Sequence, residues 1–156
     1  MPTDAIIGLN AGLFIPRNPL DETPMPTITL LFASLHVLLM LVLLARISRH
    51  RHGQSIGLGD GGDAVLARKI RVHGNFIEHA PFALLLLALL ELSGLPAPWL
   101  WGFGSALLLG RVLHAVGLSR SGGRSPGRFW GTALTWLVLL AMAMAGLWLA
   151  LRLLLP

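Results

Sequence analysis

Residues 129–151 run for 23 positions without a charged side chain, and that run dictates the solvent for which the chain is built. A hydrocarbon layer about 30 Å thick is crossed by about 20 helical residues. The backbone must be helical there, because its N–H and C=O groups find no water and have to bond one another. Three further segments read the same way. Thr27 to Ala45 is apolar, Ala64 to Ser93 is charged in its first half and apolar from Ala80 to Leu90, and Pro98 to Leu118 is apolar apart from a few polar positions. Helices are therefore expected at about 27–48, 64–93, 98–118 and 128–153. With 54% hydrophobic and 12% charged residues, the chain is too apolar for a soluble domain of 156 residues. The fold class is expected to be all-α, an integral membrane four-helix bundle over 27–156. A weakly ordered segment, 1–26, precedes it, interrupted by Asn18-Pro19, Pro24 and Pro26.

The net charge of +5 invites a nucleic-acid reading, which the placement of the charge argues against. Arg46, Arg49, Arg51, Arg120, Arg124 and Arg128 sit in or beside two connections between apolar spans, while the 94–98 turn carries no charge. Basic residues concentrate in cytoplasmic loops of membrane proteins. The two basic connections are thus expected in the cytoplasm and both termini on the other side, with membrane rather than nucleic acid as the partner. In a bacterium the chain would be a multi-pass inner-membrane protein. Trp99, Trp101 and Trp148 at one set of helix ends and Trp130 at the other suit an interfacial aromatic belt; Trp136 does not. The chain has no cysteine and no tyrosine. Disulfides, thiolate metal ligands and a sulfur nucleophile of its own are excluded, and any thiol chemistry needs a thiol that binds.

The chemistry concentrates in the second and third spans. Arg68, Arg71, Asn75, Glu78 and Phe82 recur at spacings of three and four, within about 80° of one another on a helix. Arg111 and His114 share a face of the third span for the same reason. Counted from the helix ends at about 1.5 Å per residue, Glu78 lies roughly 21 Å below Leu92 and Arg111 roughly 20 Å below Pro98. An unpaired charge in hydrocarbon costs about 3 kcal/mol on insertion scales, so a Glu78–Arg111 ion pair is the expected arrangement. Such a pair either fixes helix register or belongs to a site. Pro81 is expected to kink the second helix. His36 reads as a packing residue. His50, His52, His73 and His79 share no metal-ligand geometry, so no metal is expected. Gly59 to Gly62 lacks the Lys-Ser/Thr of a phosphate loop and reads as a turn. Ala141, Ala145 and Gly146 form a small-residue patch suited to close helix packing.

The segment Arg71-Val72-His73-Gly74-Asn75-Phe76-Ile77-Glu78-His79-Ala80-Pro81, with Gly110-Arg111-Val112-Leu113-His114 downstream, resembles the MAPEG family, the membrane-associated proteins of eicosanoid and glutathione metabolism, and its bacterial branch above all. The likeness covers about residues 26–152 and keeps the order of elements. It implies a homotrimer of four-helix protomers, with glutathione as cosubstrate bound between neighbouring subunits near the cytoplasmic side. By match to the family motif, Arg71, Asn75 and Glu78 would hold the tripeptide, with Arg68 and His114 nearby. Arg128, in Arg128-Phe129-Trp130-Gly131, corresponds to the arginine that faces the thiol, and Arg46 or Arg49 would add a contact from a neighbour. Leu118 and His79 stand where members of the family often carry tyrosine.

The resemblance implies a glutathione transferase or peroxidase whose thiolate attacks an apolar electrophile or a lipid hydroperoxide arriving from the bilayer. Two other readings of the same residues stay open. One is a membrane protein that binds glutathione or lipid without turnover. The other is a small channel or proton-coupled carrier with Glu78, Arg111 and His114 as its relay.

Overall fold

The structure, a computed structural model, describes residues 25–121, 123 and 125–155. The expectation of weak order for 1–26 falls almost wholly outside the described residues, as does Arg124. Four helices follow one another: α1 (Thr27–Gln54), α2 (Ala64–Leu92), α3 (Ala97–Arg120) and α4 (Pro126–Leu154). Each is long and apolar enough to cross a membrane. At 28 residues, α1 is about 42 Å long against about 30 Å of hydrocarbon. It continues past the last apolar residue because Arg49, His50, Arg51 and His52 form a helical extension in the interfacial layer. The extension closes on Ser55, whose φ of 54° turns the chain, while the Ile56 N–H donates to Arg51 O at 3.0 Å.

Local chemistry explains where the other helices begin. Asp63 caps α2, its carboxylate accepting from Val65 N at 2.7 Å and Leu66 N at 3.0 Å, two of the donors that a helix start leaves without partners. Pro98 lies in the first turn of α3 and Pro126 in that of α4, where a missing N–H costs nothing. Ser125 caps α4 and also donates from its hydroxyl to Gly117 O at 3.1 Å, tying the start of α4 to α3. Pro81 lies inside α2, which continues as one helix to Leu92.

The start of α1 is capped from another helix. Ile28 N and Thr29 N donate to the two carboxylate oxygens of Glu91 at 2.9 and 2.7 Å. The carboxylate on α2 thus faces the positive end of the α1 dipole. Sequence alone gave no sign of this bond, since the two ends lie 62 residues apart.

Each helix packs on its sequence neighbour; α1 also touches α3 and α2 also touches α4, while α1 and α4 do not meet. α2 and α3 therefore form the middle of the bundle. Leu87, Leu90, Leu107 and Met142 fill a core near the 94–98 turn, and Val72, Phe76, Ala80 and Ala115 a second core toward the basic connections. Between α3 and α4 the backbones come closest along Gly110 and Gly117 on one side and Gly127 and Gly131 on the other. A Cβ on Gly131 would lie 2.7 Å from Gly110 O, and one on Gly127 would lie 3.2 Å from Leu113 O. Only hydrogen side chains fit such an approach. In the small patch singled out from sequence the approach is looser: a Cβ on Gly146 would meet Leu86 and Leu90 at ordinary distances of 3.6 and 3.8 Å.

Candidate functional site

The polar stripe of α2 divides into an inner and an outer part. Asn75 faces α3, and Arg111 Nη2 donates to its Oδ1 at 2.7 Å. Arg111 is 1% exposed, with its guanidinium 5.7 Å from the centre of the Phe76 ring. That ring contact and the amide are what hold a cation inside the bundle. The expected Glu78–Arg111 pair is not among the ion pairs of the described residues. Glu78 Oε1 instead lies 3.4 Å from Arg71 Nη1, on its own helix. Residues seven apart stand almost in line two turns apart, so two long side chains can meet along the helix surface. Matching depth put Glu78 and Arg111 at one level, but rotation about α2 turned Asn75 rather than Glu78 toward α3.

Arg71 and Glu78 are 66% and 49% exposed, so the outer part of the stripe faces away from the protomer. Arg68 is half-buried and Arg128 is exposed at the first turn of α4. His114 is buried from α3, and among the described residues its Nδ1 has no hydrogen-bond partner; the same holds for Arg111 Nε. Arg111, Arg128, His79 and Arg71 all lie near enough to act electrostatically on His114. Side chains from α2, α3 and α4 thus converge on one region whose net charge is positive. Arg46 donates to Ser119 Oγ at 2.9 Å, inside the protomer. His36 is buried in α1; its Nδ1–H donates to Phe32 O at 2.7 Å and its ring lies 6.0 Å from that of Phe76.

Two concavities open beside this region. One, of about 1010 Å³, runs along α4 past Ser125, Arg128, Phe129, Thr132 and Trp136. This is where Trp136, unexplained by an aromatic belt, finds its place. The other, of about 330 Å³, lies between the α1–α2 connection and α2 and is lined by Gly59, Asp60, Ala67, Ile70, Arg71 and Gly74.

The α1–α2 connection has fixed anchors. His50 Nε2 donates to Asp63 Oδ2 at 2.7 Å, its Nδ1 lies 2.8 Å from Lys69 Nζ, and Arg51 Nη2 donates to Gly59 O at 2.9 Å. The His50 hydrogen bond, with those from the Leu66 and Val65 amides, holds the Asp63 carboxyl down at about 2. None of these anchors was legible in the sequence, where the histidines lacked a common spacing and the loop looked like a flexible turn. Among the described residues no three His, Asp or Glu side chains converge on a point that would hold a metal ion.

The model of the MAPEG family matches residues 29–148, a span that reaches into all four helices and contains Arg68, Arg71, Asn75, Glu78, Arg111, His114 and Arg128. The chain belongs to the MAPEG family. It is 34% identical over 121 residues to the inner membrane protein YecN of Escherichia coli strain K12, an alignment covering 78% of this chain and 91% of that one. YecN of Escherichia coli O6:H1 strain CFT073 matches to the same extent. Four apolar helices and these relatives make this MAPEG protein a multi-pass inner-membrane protein.

Proposed function

We propose that this MAPEG protein is a membrane-bound glutathione transferase, working as a homotrimer with its site at the cytoplasmic end of the bundle. The observation that carries the reading is the outward half of the α2 stripe. Arg71 and Glu78 are exposed on the protomer, 3.4 Å apart; Glu78 lies at a depth inside the hydrocarbon, where a charge left against lipid costs about 3 kcal/mol, and Arg71 at the cytoplasmic boundary. A second protomer and a polar ligand between the two relieve that cost. Behind the stripe, Asn75 is positioned by Arg111 and His114 keeps a free buried ring nitrogen.

The donor set suits an anionic tripeptide. Arg71 and Arg68 present forked donors to its carboxylates. Asn75 and Glu78 match its peptide groups, with His114 packed behind them. Arg128, at the first turn of α4, faces the sulfur. A free thiol with a pKa of about 8.5 is a few per cent ionised at neutral pH; a guanidinium in contact lowers that by about 2 units and makes the thiolate the main species. The thiolate then forms a carbon–sulfur bond to an apolar electrophile in the α4 groove. An aryl halide loses halide, and an activated alkene takes up a proton at the neighbouring carbon. With a lipid hydroperoxide, two glutathiones supply the two electrons and two protons that convert it to alcohol and water, leaving glutathione disulfide. The apolar walls of Phe129 and Trp136 suit a substrate arriving from the bilayer.

Calorimetry of glutathione binding to detergent-purified protein tests the site. Arg71→Ala is expected to weaken binding roughly 10- to 100-fold, the range for loss of a charged hydrogen-bonding group. Arg128→Ala is expected to keep binding but lose the near-ultraviolet absorbance of bound thiolate, together with turnover of an aryl halide. Undiminished thiolate absorbance in that variant would move the activating role elsewhere.

A further inference from the structure

We infer that Lys69 is a reactive amine, a site that accepts an acyl group from an activated acyl donor, with His50 as its base and Asp63 orienting that base. Of the 12 lysine and arginine residues in the chain, only Lys69 is a lysine. Its amine lies 2.8 Å from His50 Nδ1, and His50 Nε2 lies 2.7 Å from Asp63 Oδ2. The three groups come from the extension of α1, the cap of α2 and the second turn of α2. An ionised carboxylate only accepts hydrogen bonds, so Nε2 carries the ring proton and Nδ1 is left as the acceptor that faces the amine. A nucleophile within reach of a base that a third group orients is the arrangement that activates side chains for covalent chemistry. An arginine at this position could also donate to His50, but a guanidinium keeps its proton, whereas a lysine amine gives it up and becomes a nucleophile.

Each member of the cluster is held in place. Asp63 Oδ1 is taken up by Val65 N and Leu66 N, which leaves Oδ2 for His50. The bonds from His50 and the two amides hold the Asp63 carboxyl down at about 2, so it is an anion at neutral pH. Among the described residues no arginine lies within 4.0 Å of it to compete for that charge, and Arg51 is engaged with Gly59 O. His50, bonded at both ring nitrogens, keeps one orientation. All three side chains are partly buried, neither sealed inside the bundle nor free in solvent. The reaction is amide formation. The unprotonated amine attacks the carbonyl carbon of a thioester or an acyl phosphate, and as the carbon–nitrogen bond forms an N–H proton passes to His50 Nδ1, with Asp63 stabilising the imidazolium. The adduct then collapses: the carbon–sulfur or carbon–oxygen bond breaks, and the departing thiolate or phosphate takes the proton from His50. Acylated Lys69 has lost its positive charge.

The test is acylation of the full-length protein in detergent, in separate arms with acetyl-coenzyme A and with acetyl phosphate. Free Nα-acetyl-lysine amide in the same tube serves as the unactivated amine, and mass spectrometry of peptides measures both rates. Lys69 is expected to react about 100-fold faster than the free amine, the lower end of what a positioned base contributes. His50→Gln is expected to remove that excess, and Asp63→Asn, which keeps the cap of α2, to reduce it, with helix content by circular dichroism reporting that both variants fold. Acylation in one arm alone supports the inference and identifies the donor class. A Lys69 rate no faster than that of the free amine in both arms, or an excess that survives His50→Gln, overturns it. Neither glutathione nor the α2 stripe enters this chemistry, so its failure leaves the glutathione reading intact.

Discussion

Replacing Gly131 with alanine tests the close approach of α3 and α4 on which the position of His114 depends. The added Cβ would lie 2.7 Å from Gly110 O and 2.7 Å from His114 Cα, whereas ordinary contact begins at 3.4 Å. The helices must separate by more than 0.7 Å, because these two atoms and His114 N, which lies closer still, are all backbone and none can rotate away. Overpacking of this kind costs about 1–3 kcal/mol, and a backbone obstacle puts the cost at the upper end. Alanine recovers about 1 kcal/mol of helix propensity over glycine, so the net loss is about 2 kcal/mol. Gly146→Ala is the matched control. Its Cβ would meet Leu86 and Leu90 at 3.6 and 3.8 Å, so it keeps the propensity gain without the clash. The two variants should differ by about 3 kcal/mol, a factor of roughly 100 in the unfolding equilibrium. Titration of detergent-solubilised protein with sodium dodecyl sulfate, followed by tryptophan fluorescence, reads that difference. If Gly131→Ala resists unfolding as well as Gly146→Ala does, the backbone contact is not what holds α4 to α3.

Three further perturbations have defined outcomes. Glu91→Gln removes the charge that caps α1 and should cost about 1 kcal/mol, with faster hydrogen exchange at Ile28 and Thr29; unchanged exchange there would show that the cross-helix cap contributes nothing. The Asp63 carboxyl lies at about 2 in the folded protein against an ordinary value of 3.8. Since the folded value is the lower, its contribution is complete above about pH 4 and is lost as pH falls through 2. The amide NMR signals of Val65 and Leu66 should titrate near 2, and a midpoint near 4 would refute the His50–Asp63 bond. Because the chain has no cysteine, Leu58→Cys, 90% exposed in the parent, reports orientation cleanly. A membrane-impermeant maleimide should label it only after spheroplasts are permeabilised, and labelling of intact spheroplasts would invert the topology.

How far the sequence could be read follows from what each signal encodes. Four spans were legible because hydrocarbon imposes length and composition on each helix independently of its neighbours. The site residues were legible as a stripe because helical periodicity is local. Their partners were not. Counting residues gives depth, and it placed Glu78 level with Arg111, but the choice between Asn75 and Glu78 depends on the rotation of α2 against α3, which packing decides. The same reasoning covers Glu91: a lone acid near a helix end reads as solvated until the start of α1 is known to lie against it. Small residues were noticed at Ala141 to Gly146, where they cluster in sequence. The tighter contact uses Gly110 and Gly117 against Gly127 and Gly131, two pairs that face each other only in three dimensions.

One arrangement links these separate contacts. α1 is capped by Glu91 at one end, and at the other its extension grips the α1–α2 connection through His50 and Arg51. The α1–α2 connection is therefore held beside α2 by bonds that run through α1, not through α2 alone. α4 is placed just as firmly, since Gly127 and Gly131 lie against α3 and Ser125 is bonded to Gly117 O, which fixes Arg128 relative to His114. The α1–α2 connection and the start of α4 are thus placed by opposite flanks of the bundle, and α1 and α4 do not pack on each other. Any relative movement of those flanks must pass through α2 and α3, where Arg111 and Asn75 form the polar bond between them. Arg111, 1% exposed, thereby acts as the brace that sets the distance between Arg71 on α2 and Arg128 on α4.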